Sequence, residues 1–364
     1  AAPRGWRSFR LDKFSVVGSN SPRNQLPMLS GRGSLEWARD NAPYGAGAAL
    51  ECLVAGFPGT RASPEHKCDA LIFSDYKDAG YATFFGTNMC DWGVLEEAYP
   101  AVAPPAPEGA GTLHPPTDHH LMEPWCHVDY DVDKLYFRPL SRCLGGRPAH
   151  AALFEYERQF LANYAQPQPR RRQQPRDPPP GSARAGGAGG AGGAGGAGGV
   201  PRLSWTVYLE GHEPSFRAMG NLDADLAAHL LRLRAHHGEK TALLLLSDHG
   251  IHYGEYYDGA RAGKQEHQLP LFYALFPRRW LATQPAVEKA LATNQRRLVS
   301  PFDVHATLRH LLSFPERPTL PDWRYSGMNV QPRSLLTTVP SSRRCEQAGI
   351  PPDSCPCDNA NARF

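Results

Sequence analysis

Ala242 to Leu246 form an unbroken apolar run that ends abruptly in Ser247, Asp248, His249 and Gly250. A run this short and this apolar reads as a strand buried on both faces, and such strands belong to α/β sheets covered by helices. A carboxylate and an imidazole at the end of a buried strand need a reason. The sequence before the run provides a frame for one. Leu203, Trp205, Val207 and Leu209 alternate with polar or half-polar neighbours, the period of a strand, and Leu222, Leu226, Leu230 and Leu233 then recur at helical spacing up to Gly238. Strand, helix and strand make a βαβ unit, whose ligands lie at the carboxyl ends of its strands. Gly250 allows the turn that would aim two neighbouring side chains into one crevice.

The rest of the chain fits the same class. Ala149 to Tyr164 reads as a helix with Leu153, Tyr156, Phe160 and Tyr164 on one side. Lys67 to Asp78 reads as a helix stopped by Gly80, Tyr81 to Gly86 as a short strand, and Leu269 to Phe276 as another. Ser300-Pro301-Phe302-Asp303 has the cap, the first-turn proline and the acidic residue that open a helix, here running to about Leu312. Between these segments, residues 165–202 are Pro-rich and then a Gly-Gly-Ala repeat, too poor in apolar side chains to offset the entropy of ordering, so they read as a disordered insertion in one domain. The expected division is an α/β domain over residues 1–340 and a Cys-containing tail over 341–364.

A content of 41% apolar and 21% charged residues supports a globular core, and a net charge of +3 is too small to favour nucleic acid. No run reaches the roughly 20 apolar residues of a membrane helix, so a membrane would be reached only through an N-terminal anchor outside this sequence. Eight cysteines without paired C-x-x-C units favour disulfides over structural zinc, and hence an extracellular or secretory setting.

Four polar clusters are candidates for chemistry. Asp248 and His249 offer one hard oxygen and one imidazole nitrogen, a pair suited to a divalent cation; the plain alternative is a capping Asp and a loop His. Ser19 and Ser21 follow the apolar run Phe14 to Val17 and precede a helix start near Pro22, where a serine alkoxide would be favoured by the helix dipole and a cation, although a serine there is more commonly a cap. Glu210 and His212 follow a strand. Lys264, Glu266 and His267 precede another and read locally as a solvated loop.

Taken in order, "VVGSNSPRNQLPMLSG", "YKDAGYATFFGTN", "LSWTVYLEGHEPSF", "LLLLSDHGIHYGEYY", "KQEHQLPLFYALFP", "NQRRLVSPFDVHATLRHLL" and "RRCEQAGIPPDSCPC" make the chain resemble the alkaline phosphatase and sulfatase superfamily, most closely a eukaryotic branch of unknown function. The resemblance implies a mostly parallel sheet flanked by helices on both faces. It puts Ser21 at the nucleophile, Asp248 and His249 at metal ligands and His212 at a metal or substrate contact. Glu266 matches a carboxylate before the next strand and His267 stands where the branch usually has an acidic residue, which makes both candidates for metal or substrate contact. It implies one or two divalent ions, zinc above all, with manganese or calcium compatible. Sulfatases need Pro two and Arg four residues after the nucleophile; here Pro22 follows Ser21 directly and Gln25 holds the Arg position, which favours phosphate esters over sulfate esters. The family's first metal ligand, an Asp closing an upstream strand, has no counterpart before Phe14, and Asp12 lies too close to the next strand. Either the chain starts after that strand or the site is inactive. The expectation is a metal-dependent hydrolase or transferase for a small-molecule, glycan or lipid phosphoester, with an inactive extracellular binding protein as the alternative.

Overall fold

A computed structural model describes residues 4–33, 71–88, 117–122, 143–144, 146–165, 199–212, 217–318, 320, 323–325 and 327–356. It is a mixed α/β domain. Strand β1 (Trp6–Arg10) leads into helix α1 (Ser21–Ser30), and α2 (Ile72–Asp78), β2 (Ala82–Thr87) and β3 (His119–Leu121) follow. Next come α3 (Ala149–Ala165), β4 (Arg202–Val207), α4 (Ala218–His237) and β5 (Leu243–Leu246). The chain continues through α5 (Glu255–Gly259), α6 (Arg261–Gln268), β6 (Phe272–Pro277), α7 (Arg278–Thr283), α8 (Pro285–Asn294) and α9 (Pro301–Ser313).

The strands do not form one mostly parallel sheet among the described residues. Two three-stranded sheets are present: an antiparallel one in the order β1-β6-β5 and a parallel one in the order β3-β2-β4. The expected βαβ unit is therefore split, with β4 pairing β2 and β5 pairing β6 antiparallel from Leu243 opposite Leu275 to Leu246 opposite Phe272. An all-leucine run carries no alternation to tell its neighbours' direction, so its partner is decided by the turn through α6 that brings β6 back alongside it. Phe14 to Val17 is likewise not a strand: Phe14 makes an isolated bridge to Val299, and Val16 N–H donates to Gln268 O at 3.1 Å. Lys264, Glu266 and His267, expected in a solvated loop, lie on α6.

The helix signals translate directly. Pro22 stands in the first turn of α1, and Gly31 ends it in the left-handed region at φ 75°. At α9, the Ser300 N–H donates to Asp303 Oδ2 at 2.9 Å, and Arg343 grips both carboxylate oxygens of this buried cap. The core is built from one face of each helix: Leu26, Met28 and Leu29 of α1, Ile72 and Phe73 of α2, and Val304 and Leu308 of α9 close around Phe14, Phe272, Ala274 and Phe276. Burying a large apolar side chain contributes about 1.5–3 kcal/mol, which is why α1 stays pinned under α9 despite Pro27 in its interior.

Residues 166–198, the bulk of the expected insertion, lie outside the described residues. Its edges are within them: Ala165 ends α3, Arg202 starts β4, and a Cβ on Gly199 would fall 2.1 Å from the Tyr164 carbonyl. The C-terminal tail packs instead of trailing, with Cys345, Ala348, Ile350 and Cys355 buried against Val17, Leu298, Phe302, Met328 and Val330. Cys345 and Cys355 form a disulfide and Cys143 is a free, exposed thiol. Cys52, Cys68, Cys90, Cys126 and Cys357 lie outside the described residues. Among those residues no helix is long and apolar enough to cross a membrane.

Candidate metal centre and serine site

The site grows from two loops that meet over the end of β5. The first, residues 17–20, is shaped by Asn24 from inside α1. Asn24 is wholly buried; its Oδ1 accepts from the Val17 and Gly18 N–H groups at 2.8 and 3.3 Å, and its Nδ2 donates to the Gly18 and Asn20 carbonyls, both at 2.9 Å. Ser21 is the first residue of α1, where unpaired N–H groups and the helix dipole favour negative charge.

The second loop runs from Ser247 into α5. Gly250 lies so close to α6 that a Cβ would stand 2.4 Å from the Glu266 carbonyl, and its N–H donates to His267 O at 3.2 Å. This close approach draws His267 under the loop. His249 donates Nδ1–H to Gly250 O at 2.6 Å, which leaves a lone pair on Nε2, and Nε2 faces Ser21 Oγ at 3.1 Å. His252 Nδ1 and His267 Nε2 both donate to the single carbonyl of Ser19, the latter at 3.1 Å. His249 and His252 stack with ring centroids 5.0 Å apart.

A ring nitrogen from each of His249, His252 and His267 lies within 4.8 Å of those of the other two, a cluster able to hold a metal ion. Three imidazoles are a donor set suited to a divalent transition metal, and a backbone carbonyl accepts from one nitrogen of each ring, Gly250 O from His249 and Ser19 O from His252 and His267, as carbonyls behind metal-binding His residues commonly do. Burial, then the neighbouring imidazoles, holds the His267 ring below the ordinary histidine range even against its bond to Ser19, so the ring is neutral near pH 7.

The residues singled out in the sequence divide into three groups. Ser21, His249 and His267 come together. Asp248 stands beside them: its Oδ2 accepts from Gln25 Nε2 at 2.8 Å and lies 3.9 Å from His249 Nε2, while Oδ1 accepts the His249 N–H at 3.1 Å. Burial is the largest influence on this carboxyl and pushes it up, but His249 and the donors Gln25 and Ser21 outweigh it and keep it ionised. Gln25 Oε1 is buried with no hydrogen-bond partner among the described residues. His212 borders the cluster, with Nδ1 3.5 Å from Tyr253 OH and its ring 6.3 Å from His252; burial and then His249 and His252 lower its pKa. Glu266 is not brought in. It lies on the outer face of α6 and accepts from Tyr256 OH at 3.1 Å.

His252 was not foreseen. The signal was present as a second His three residues after His249 in "DHGIHYG", but a spacing of three outside a helix says nothing about direction until the loop's turn is known.

A family model described as a protein of unknown function (DUF229) matches residues 5–170 and 201–362, leaving out most of the low-complexity segment. No curated protein and no solved structure matches the chain.

Proposed function

The chain belongs to the DUF229 family, and for it we propose a metal-dependent hydrolase or transferase that acts on phosphate esters through Ser21. The observation that carries this reading is the 3.1 Å approach of Ser21 Oγ to His249 Nε2 at the start of α1, beside a three-His cluster. When bound to His249, His252 and His267, a divalent cation, zinc above all, supplies Lewis acidity at the phosphoryl oxygens and lowers the pKa of a nearby hydroxyl.

The chain's own residues supply the rest. Ser21 Oγ, its hydroxyl proton released to solvent, attacks phosphorus, forming an O–P bond as the bond to the leaving oxygen breaks and that oxygen takes a proton from water. Water or an acceptor alcohol later takes the phosphoryl group and Ser21 regains its proton. The N-terminus of α1 favours the Ser21 oxyanion. His249 keeps Nε2 directed at that oxygen because Gly250 O holds its other nitrogen. Asp248 maintains negative charge beside the imidazole, and Gln25 fixes the carboxylate. A neutral amide at Gln25, in place of the Arg of the sulfatase motif, supports phosphate over sulfate. The resemblance to the alkaline phosphatase and sulfatase superfamily agrees with this chemistry, and the Cys345–Cys355 disulfide supports a secreted or lumenal setting.

A second reading, a non-catalytic extracellular binding protein, has one observation in its favour. Asp12, the carboxylate before Phe14, pairs with Arg10 on the surface at 2.5 Å and is no part of the three-His cluster.

Titration of the purified chain with zinc by calorimetry, followed by assay against aryl phosphate mono- and diesters and an aryl sulfate, separates the readings. Stoichiometric zinc with phosphoester turnover abolished in Ser21→Ala supports the enzyme. Zinc without turnover supports the binding protein, and neither zinc nor turnover removes the metal-dependent reading.

A further inference from the structure

We propose that Asn24 is the positioning residue of the three-His cluster, setting two of its three imidazoles through the backbone of residues 17–20; the proposal rests on the metal reading above. Asn24 touches none of the three rings. All four of its hydrogen bonds go to the backbone of one short loop, at Val17, Gly18 and Asn20, and they surround the peptide that presents the Ser19 carbonyl. That carbonyl accepts from both His252 Nδ1 and His267 Nε2. One oxygen therefore decides which nitrogen carries the proton on each of two rings, and so which nitrogen keeps a lone pair for a cation. His249 is served separately, by Gly250 O.

The arrangement has a physical economy. A carbonyl oxygen has two lone pairs, and two donors use both, so Ser19 O can hold both rings only if its own direction is held. Residues 18–20 pair in no strand, and the backbone bonds of the run before them, from Ser15 to Val299 O and from Val16 to Gln268 O, stop short of the Ser19 carbonyl. A wholly buried amide with every hydrogen bond made supplies the missing constraint. Gly18 completes the device: a Cβ there would lie 2.3 Å from Arg23 Cβ, so the loop lies flush against the first turn of α1 only because residue 18 is glycine. Groups that orient metal-binding histidines from behind typically change metal affinity by about 10–100-fold when lost.

A buried Asn also stabilises the fold, so the test needs a matched control. Asn294 is equally buried and bonds by its side chain to the Leu335 and Thr337 carbonyls and the Val339 N–H, away from the His cluster. Asn24→Asp and Asn294→Asp make the same chemical change. Both are expected to lower the thermal midpoint, but only Asn24→Asp should lower zinc affinity, by about tenfold or more in calorimetry. Long-range proton–nitrogen NMR of the metal-free protein gives a readout independent of loading: the wild type should show His252 as the Nδ1–H tautomer and His267 as the Nε2–H tautomer, and Asn24→Asp should show mixtures of both. Gly18→Ala, which displaces the loop without touching a polar group, should reproduce both effects and serves if Asn24→Asp does not fold. Unchanged zinc affinity and tautomers in a folded loop variant would overturn the proposal and leave the metal reading standing. Equal loss of affinity in Asn24→Asp and Asn294→Asp would also overturn it, reducing Asn24 to a structural role. If the wild type binds no zinc, the metal reading fails by itself, and the tautomers alone decide whether Asn24 sets the rings.

Discussion

Gln25 donates to Asp248 from one helical turn beyond Ser21, which meets His249, so a single face of α1 engages two consecutive residues at the end of β5. Removing the carboxylate leaves the Gln25 amide with neither end paired among the described residues. Asp248→Ala is therefore expected to cost about 1–3 kcal/mol in urea unfolding, with loss of phosphoester turnover. Ser21→Ala should leave zinc content and stability nearly unchanged while lowering turnover by at least about a hundredfold, since the attacking oxygen is gone and the three imidazoles remain. Equal turnover in Ser21→Ala and the wild type would exclude Ser21 as nucleophile.

His252→Ala and His267→Ala each remove one of three ring nitrogens. Both should weaken zinc binding far more than Glu266→Ala, whose carboxylate lies on the outer face of α6. Saturating zinc at about 100 times its Kd should raise stability by roughly 2.7 kcal/mol, and a chelator should reverse the gain. Zinc affinity as strong in both His variants as in the wild type would mean the ion sits elsewhere.

His305 lies buried in α9, donating Nδ1–H to Met28 O at 3.2 Å and passing over Gly31 where α1 ends. Burial, then the charge of Arg309, pushes its pKa from 6.5 down to about 4, partly offset by the bond to Met28. The unfolded chain thus binds this proton more readily than the folded one. Stability from this group is complete above pH 6.5 and falls as the pH drops toward 4, by at most about 1.4 kcal/mol per pH unit. Urea midpoints measured across that window should drop less steeply in His305→Gln; parallel slopes would show that His305 titrates normally.

Gly199 abuts Tyr164 and Ala165, so the residues that flank segment 166–198 lie close together. Replacing residues 166–198 with a short Gly/Ser linker should leave the thermal midpoint within a few degrees, since closure entropy changes only slowly with loop length. A loss of several kcal/mol would mean that the segment packs against the domain.

Thiol labelling without reductant should modify Cys143 and spare Cys345 and Cys355. Reduction, or Cys345→Ser with Cys355→Ser, should cost about 2–4 kcal/mol. Rapid labelling of Cys345 in the unreduced protein would contradict the bond.

What the sequence disclosed was mostly what is local. Ser300 with Asp303, and Pro22 after the small residues before it, are start signals contained within a few residues, and the helices they open begin close to where those signals put them. Ser21 and His249 were singled out for a different reason, through order along the chain and resemblance, and the structure brings them within 3.1 Å. Strand partnership was not local. Leu243–Leu246 reads equally well beside a parallel or an antiparallel neighbour, and β1 has too little apolar pattern to announce itself before Phe276 and Ala274 lie opposite. Glu266 and His267 show the limit most clearly. As neighbours in a loop they could share a site, but on α6 they point about 100° apart, and Gly263 and His267, one turn apart, form the buried face.

The contact between Ser21 and His249 spans 228 residues, and the one between Ser19 and His267 spans 248. At about 5–20 residues per second, a ribosome makes the loop of residues 17–20 roughly 12–50 s before the imidazole it must receive. Throughout that interval the helix start carrying Ser21 has no α9 above it, and β5 is made only near its end. The candidate centre therefore cannot exist until residue 267 has emerged, and a nascent chain that stalls before then has no site.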